Sequence, residues 1–342
     1  MLILSIETSC DETAVAVTSD GRTVLADEIF SQADKHAIYG GVVPEIASRS
    51  HVEVITELAD SALAKAGARR GDIDAVAVTY APGLIGALLA GVSFAKGASF
   101  SLGVPLIPVH HIRGHIAANY IAFPELEPPF LCLVVSGGTS LIADVEDYTD
   151  ICVVGSTRDD AAGECFDKVA RALGLGYPGG KALDELARAG DSTAYKLPRA
   201  SIEGHPYDMS FSGLKSSVVN LLHNAGQRGG GELDIPSLAA SFSAAVSDAL
   251  VPRVMSAARE FGRERIAIAG GVAANSRVRA DFERSAAAAG ARLYMPPLAL
   301  CGDNAAMIGC QGYYEYLAGA RADMSLNACA TMDAGIRKNT EG

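Results

Sequence analysis

Two histidines four positions apart, His111 and His115, lie in the run His110-His111-Ile112-Arg113-Gly114-His115. On a helix, positions i and i+4 share a face, so two imidazoles spaced this way can reach one metal ion. A zinc peptidase of the H-E-x-x-H type needs a glutamate base at the second position, and Ile112 stands there. Peptide hydrolysis by that route is excluded. Ser136-Gly137-Gly138-Thr139 follows an apolar run. Glycines there let backbone amides form a nest for phosphate or carboxylate, although a plain turn uses the same residues. Gly270-Gly271-Val272-Ala273-Ala274-Asn275 puts an amide side chain at a helix start, where it caps the helix or meets a nucleotide. Cys301-Gly302-Asp303-Asn304 precedes an apolar helix, with Asp303 placed either as a cap or as a ligand. Carboxylates crowd the stretch from Asp159 to Lys168, ahead of Tyr177-Pro178-Gly179-Gly180. That is the pattern of a solvated helix start or of a substrate surface. Glu7-Thr8-Ser9-Cys10-Asp11-Glu12-Thr13 reads as a polar turn after a first strand.

The elements that must hold these groups follow from periodicity and punctuation. Strands are expected over 2–6, 13–18 and 23–30, with Ser19-Asp20-Gly21-Arg22 as a tight turn between the last two. A helix is expected over 44–66, opened by Pro44 and stopped by Gly67. A strand over 75–79, a Pro82-Gly83 turn, a helix to about 102, a strand over 105–108 and a short helix from about 111 complete the first half. The pattern then restarts, with strands over 130–135, 139–145 and 150–155, and later a strand over 265–269 followed by a helix over 275–289. Two meanders, each leading to a strand–Gly–helix unit, predict a duplicated βββαβα half and an α/β protein of two lobes with a cleft between them. The expected division is 1–128 and 129–342, with an irregular insert near 190–212 and a Gly229-Gly230-Gly231 linker.

Composition narrows the function classes. The chain has 342 residues with 49% hydrophobic content, enough for a substantial core. Lys and Arg number 28 against 40 Asp and Glu, a net charge of -12, which argues against a general polyanion binder. With no Trp and 6% aromatics, a base-stacking platform is also disfavoured. Seven cysteines, none in C-x-x-C spacing, suit reduced thiols in the cytoplasm better than a disulfide framework. The 21 uncharged residues over 75–95 are interrupted by Pro82, Gly83, Gly86 and Gly91, so a strand, a turn and a buried helix are expected there and no membrane span. Between Arg253 and Arg292, eight Arg face four acids. That reads as a solvated helix face or a local contact to an RNA backbone.

Taken in order, Glu7 to Thr13, Ala81-Pro82-Gly83-Leu84, His110 to His115, Val135-Ser136-Gly137-Gly138, Gly163-Glu164-Cys165-Phe166-Asp167-Lys168, Tyr177-Pro178-Gly179-Gly180, Phe211-Ser212-Gly213-Leu214-Lys215, Gly270 to Asn275 and Asp303-Asn304 resemble the TsaD family (also called Gcp or YgjD), the tRNA adenosine threonylcarbamoyltransferases. The resemblance runs from Leu2 to about Ala318. It implies the actin-like, sugar-kinase-like ATPase (ASKHA) fold. It implies that His111, His115 and Asp303 bind one metal, iron(II) first and zinc(II) as the alternative. It implies further that Val134, Val135, Ser136, Gly137, Gly138, Asp167, Gly180, Asp184 and Asn275 line a substrate site. Thr139 stands where the family usually has His, so no imidazole serves that loop.

The expected reaction passes a threonylcarbamoyl group from threonylcarbamoyl-AMP to the N6 amine of the adenosine 3′ of a tRNA anticodon, in tRNAs reading codons that begin with A. Asp11 or Glu12 is the expected proton acceptor. The resemblance also implies a paralogous TsaB-like subunit and a TsaE-like ATPase as partners. An ATP-dependent kinase or carbamoyltransferase of the same fold would not need the paired histidines, and a non-catalytic scaffold paralogue should lack His111, His115 or Asp303.

Overall fold

The computed structural model describes residues 1–228 and 233–337; the Gly229-Gly230-Gly231 linker lies outside the described residues. The chain divides into two compact units, the first made of Met1–Pro128, Glu146–Ile151 and Pro296–Ile336. Its sheet begins with β1 (Leu2–Glu7), β2 (Glu12–Ser19) and β3 (Thr23–Ser31), an antiparallel meander. Asp20 and Gly21 both take positive φ at the β2–β3 turn, matching the twist of a tight hairpin. After α1 (Ala33–Ala37), which the sequence reading did not anticipate, α2 (Pro44–Ala66) runs from its N-terminal proline to Gly67 in the left-handed region. Then follow β4 (Ala75–Ala81), α3 (Ile85–Leu102), β5 (Leu106–His110) and α4 (His111–Ala122). The strand order is β3-β2-β1-β4-β5, with β4 parallel to β1 and β5 parallel to β4. Alternation sorts the side chains. Leu4, Ile6, Val76 and Val78 pack with Ile55, Ala59 and Val92 of the two long helices, while Ile3, Ala75 and Ala77 face the opposite way.

The second unit holds Pro129–Val145 and Cys152–Met295 together with Arg337. It carries β6 (Phe130–Val135), β7 (Ser140–Val145) and β8 (Ile151–Ser156), whose first residue belongs to the first unit. Four helices follow: α5 (Ala162–Ala172), α6 (Gly180–Ala187), α7 (Ser212–Arg228) and α8 (Ile235–Glu260). The unit is completed by β9 (Arg265–Ala269), α9 (Ser276–Ala289) and β10 (Arg292–Tyr294). Between α6 and α7, the expected insert near 190–212 has no regular helix or strand among the described residues. The order β8-β7-β6-β9-β10 repeats that of the first sheet, again with an antiparallel central pair, β6–β7, and parallel β6–β9 and β9–β10. The duplication inferred from two meanders is therefore visible as one topology used twice.

The chain then returns. Helix α10 (Ala305–Leu317) places Met307 and Ile308 against Ile3, Ala77, Ile107 and Val109, and Ser5 donates to the Ala305 carbonyl at 2.7 Å. Pro296–Ile336 accordingly belongs to the first unit, whereas the linear reading grouped it with 129–342. The open face of the first sheet needs an apolar cover, and α10 supplies it. A short β11 (Ile336–Arg337) adds to the far edge of the second sheet, beside β8. Among the described residues two helices, α3 and α8, are long and apolar enough to cross a bilayer; α8 is largely buried, as in a core helix, and α3 about one-third buried. The uncharged stretch over 75–95 is the expected strand, turn and helix.

Candidate metal centre and substrate-binding loops

Strand β5 passes into α4 with no intervening loop, because His110 ends the strand and caps the helix. Its Nδ1 accepts from the Ile112 amide at 3.2 Å. His111 is therefore the first helical residue and His115 lies one turn on, with ring centroids 4.6 Å apart. Between them, Gly114 faces α10: a Cβ there would stand 2.6 Å from Ile308 Cδ1. The missing side chain lets the two helices approach. The capping alternative for Asp303 does not hold, since Asn304 caps α10 by accepting from the Met307 amide at 2.8 Å. Asp303 Oδ1 instead lies 3.2 Å from His115 Nε2 and 3.6 Å from His111 Nε2. One donor atom from each of the three residues falls within 4.8 Å of the others.

His115 is 1% exposed, and neither of its ring nitrogens makes a hydrogen bond. Leaving a buried imidazole unsatisfied is costly, and a cation accepting its lone pair removes that cost. Two imidazoles and one carboxylate are donors suited to zinc or non-haem iron. Electrostatics agree. Burial opposes ionisation of Asp303, but His111 and His115 beside it hold its carboxyl below the usual range. Burial likewise opposes a charged His111, yet Glu7 and Asp303 outweigh it and raise its pKa. The residues present fit a divalent cation.

Asp11 ends the turn that joins β1 to β2, and Glu12 is the first residue of β2. Burial, with Asp303 and Asp11 adding their charge, pushes the half-buried Glu12 up to about 8. That value belongs to the metal-free site, where the charge of Asp303 is not neutralised. Burial and Asp11 hold the Cys10 thiol beside them far above the ordinary value, which disfavours its thiolate.

The second unit carries the remaining expected residues. Val134 and Val135 are wholly buried in β6, backbone included, and present no surface to a ligand in this structure. The Ser136 amide closes the β6–β7 turn onto the Thr139 carbonyl at 2.8 Å, which reduces the nest to Gly137 and Gly138, both exposed with open space above them. Gly163, at the start of α5, donates to the Ser136 carbonyl at 3.2 Å; a Cβ there would collide with that oxygen at 2.4 Å. Asp167 accepts from the Gly179 amide at 2.9 Å and so fixes the turn that delivers Gly180 at the start of α6. Asp184 accepts from the Ser276 amide at 3.0 Å and its hydroxyl at 2.8 Å, next to Asn275, which caps α9 through the Val278 amide at 3.1 Å. Sequence reasoning assigned no role to Ser276, or to Glu7, Ser9 and Thr79 around His111. Glu7 was legible as an acid ending an apolar strand and as the first residue of the Glu7 to Thr13 motif. The arginine-rich stretch is largely committed internally. Arg277 and Arg284 both meet Asp281, Arg279 donates to the Ala273 carbonyl, and Arg263 clasps Asp144.

Comparison with known proteins shows the family. The model of the TsaD family, tRNA N6-adenosine threonylcarbamoyltransferase, matches residues 23–310. A tRNA N6-adenosine threonylcarbamoyltransferase of Moorella thermoacetica is 54% identical over 326 residues, 95% of this chain and 95% of that protein. One of Clostridium botulinum is 50% identical over 335 residues, 98% of each. Among solved structures, HypF of T. kodakarensis superposes with a TM-score of 0.61 at 16% identity, over 93% of this chain and 48% of that one, a likeness of fold. The repeated sheet order and this likeness agree with the ASKHA fold. A match over most of the chain and relatives at about half identity leave one assignment: the chain belongs to the TsaD family.

Proposed function

We propose that this chain transfers a threonylcarbamoyl group from threonylcarbamoyl-AMP to the N6 amine of the adenosine 3′ of the anticodon, in tRNAs that read codons beginning with A. The single observation that carries the reading is the His111–His115–Asp303 cluster, with a buried and unsatisfied His115, in a chain of this family. In the reaction N6 attacks the carbamoyl carbon, a C–N bond forms, and the C–O bond to phosphate breaks with its electron pair leaving on AMP. The amine is a weak nucleophile because its lone pair is delocalised into the ring. The protein must therefore supply position and charge stabilisation. Gly137 and Gly138 offer amides to phosphate or carboxylate, while Asp167, Gly180, Asp184 and Asn275 shape the donor pocket around the starts of α6 and α9. Glu12, with Asp11, takes the amine proton. His111, His115 and Asp303 hold the divalent ion, iron(II) in this reading and zinc(II) as the alternative. When bound, the ion supplies Lewis-acid charge and a template for donor oxygens, with no redox change.

The same reading makes 1–128 and 129–342 the two halves of an ancestral duplication, the second half lending α10 back to the first. It places the protein in the cytoplasm, beside tRNA, with a paralogous subunit and an ATPase as partners. The test is to incubate the purified chain with donor adenylate, unmodified tRNA and the partners, then digest the tRNA to nucleosides. Threonylcarbamoyladenosine detected by mass spectrometry, and absent with His115→Ala, supports the assignment; equal product from both proteins overturns it.

A further inference from the structure

We propose that Glu7 is a positioning residue for the metal centre, fixing the tautomer and ring orientation of His111 so that Nε2 presents its lone pair to the cation. The inference rests on the metal reading given above. Glu7 is the last residue of β1 and is wholly buried. Its Oε2 lies 3.0 Å from His111 Nδ1 and accepts from Thr79 Oγ1 of β4 at 2.6 Å, while its Oε1 accepts from the Ser9 amide at 2.5 Å. Ser9 Oγ stands 3.1 Å from the same His111 nitrogen. A buried carboxylate is costly unless each lone pair is answered, and here three donors from three elements converge on it. The sheet register holds this in place, because β4 lies parallel beside β1 with Ile6 level with Val78.

The consequence falls on the far side of the ring. In a neutral imidazole one nitrogen carries the proton and the other the lone pair. With Nδ1–H given to Glu7, Nε2 is the lone-pair nitrogen, and Nε2 is the atom facing Asp303. A carboxylate behind a ligating imidazole also raises its basicity as a donor. His115 has no such support, since neither of its nitrogens is hydrogen-bonded. The orientation of the His111 imidazole thus depends on Glu7, and Thr79 orients Glu7 in turn.

Glu7→Gln keeps size and one carbonyl oxygen for the Ser9 amide, while its NH2 group meets Thr79 Oγ1, which can accept, and His111 Nδ1; the packing survives and the acceptor behind the imidazole is lost. The probes are Zn(II), titrated in competition with a chromophoric chelator, and the ligand-field spectrum of Co(II). In Glu7→Gln we expect Zn(II) affinity to fall by roughly 10–100-fold, the cost usual for an outer-shell partner. The Co(II) spectrum shifts and the melting temperature of the metal-free protein stays put. Thr79→Val, which frees Glu7 without removing it, gives a smaller loss in the same direction. Unchanged Zn(II) affinity and Co(II) spectrum in Glu7→Gln overturn the proposal. Should that variant fail to fold, unchanged affinity in Thr79→Val overturns it instead. His115→Ala separates the two ideas. If it loses Zn(II) while Glu7→Gln retains it, the inference about Glu7 fails alone; if it retains Zn(II) in full, the metal reading fails and takes the inference with it.

Discussion

Asp303 Oδ1 stands 3.2 Å from Nε2 of His115, yet no hydrogen bond satisfies that nitrogen. The two residues come from α4 and from the loop before α10, nearly two hundred positions apart. They meet because Gly114 gives α10 room and because Asn304 takes over the capping of that helix. A close pair that leaves its donor atoms unspent is the arrangement a shared cation completes.

Removing either partner should therefore remove the metal. For His115→Ala and Asp303→Ala we expect metal affinity to drop by more than the roughly 10–100-fold of an outer-shell loss, with tRNA modification falling in step. Metal content by elemental analysis and far-UV circular dichroism check this together. Full occupancy in a folded His115→Ala protein would sink the assignment.

The donor loops allow a sharper experiment than alanine scanning. Asn275 caps α9, so Asn275→Ala costs about 1 kcal/mol of stability whether or not it touches a ligand. Asn275→Asp keeps the cap, and any loss of adenylate affinity then reports on the ligand. We expect weaker adenylate binding in Asn275→Asp and in Asp167→Asn, with tRNA binding little changed. Calorimetry showing parental adenylate affinity in both variants would refute the donor role.

Much of this was legible from residue order, and the exceptions share a cause. Helix α2 could be read end to end because Pro44 and Gly67 are local signals. The return of α10 could not, because the need to cover the Ile3, Ala77 and Val109 face is a property of the assembled sheet. For the same reason the residues alone left Asp303 open between cap and ligand, and the cap is excluded only by Asn304 holding the Met307 amide. At the Ser136 loop the composition was right for a three-amide nest, but the hairpin register spends the Ser136 amide on Thr139. Glu7 was legible as the first residue of the Glu7 to Thr13 motif, but not as a partner of His111. Its partners Thr79 and His111 lie 72 and 104 positions away.

Acid stability offers a test of the β3–α10 junction. Asp27 accepts from the Ala305 amide at 3.2 Å, and burial raises its carboxyl from the ordinary 3.8 to about 6 against the pull of that bond. Between these values the folded protein holds a proton that the unfolded chain has lost, so stability falls as pH rises through the window and levels off above about 6. Asp27→Asn removes the titration. Relative to the parent it should gain stability between pH 4 and pH 7, by about 3 kcal/mol at most for a two-unit shift. Parallel denaturation profiles for the two proteins across that range would contradict the shift.

The last expectation concerns dependence on other proteins. A chain of net charge -12 without Trp is poorly suited to hold a tRNA alone, and Arg277, Arg279 and Arg284 already pair with the chain's own atoms, although Arg284 stays 70% exposed. Nor does the apolar stripe of α2 stand free. Ala47, Ile55 and Leu63 are buried in the chain's own core, Ile46, Val54 and Leu58 are half-buried, and Val52 alone of the apolar residues beyond alanine is exposed, at 66%. On the reading proposed above, a partner brings further basic surface. Given excess adenylate and tRNA but no other protein, we expect the purified chain to stall at or below one product per enzyme. Adding the paralogous subunit and the ATPase should restore turnover, with a tRNA affinity that weakens steeply as salt is raised. Sustained multiple turnover by the chain alone would show that it carries its own tRNA site and that the partners are dispensable.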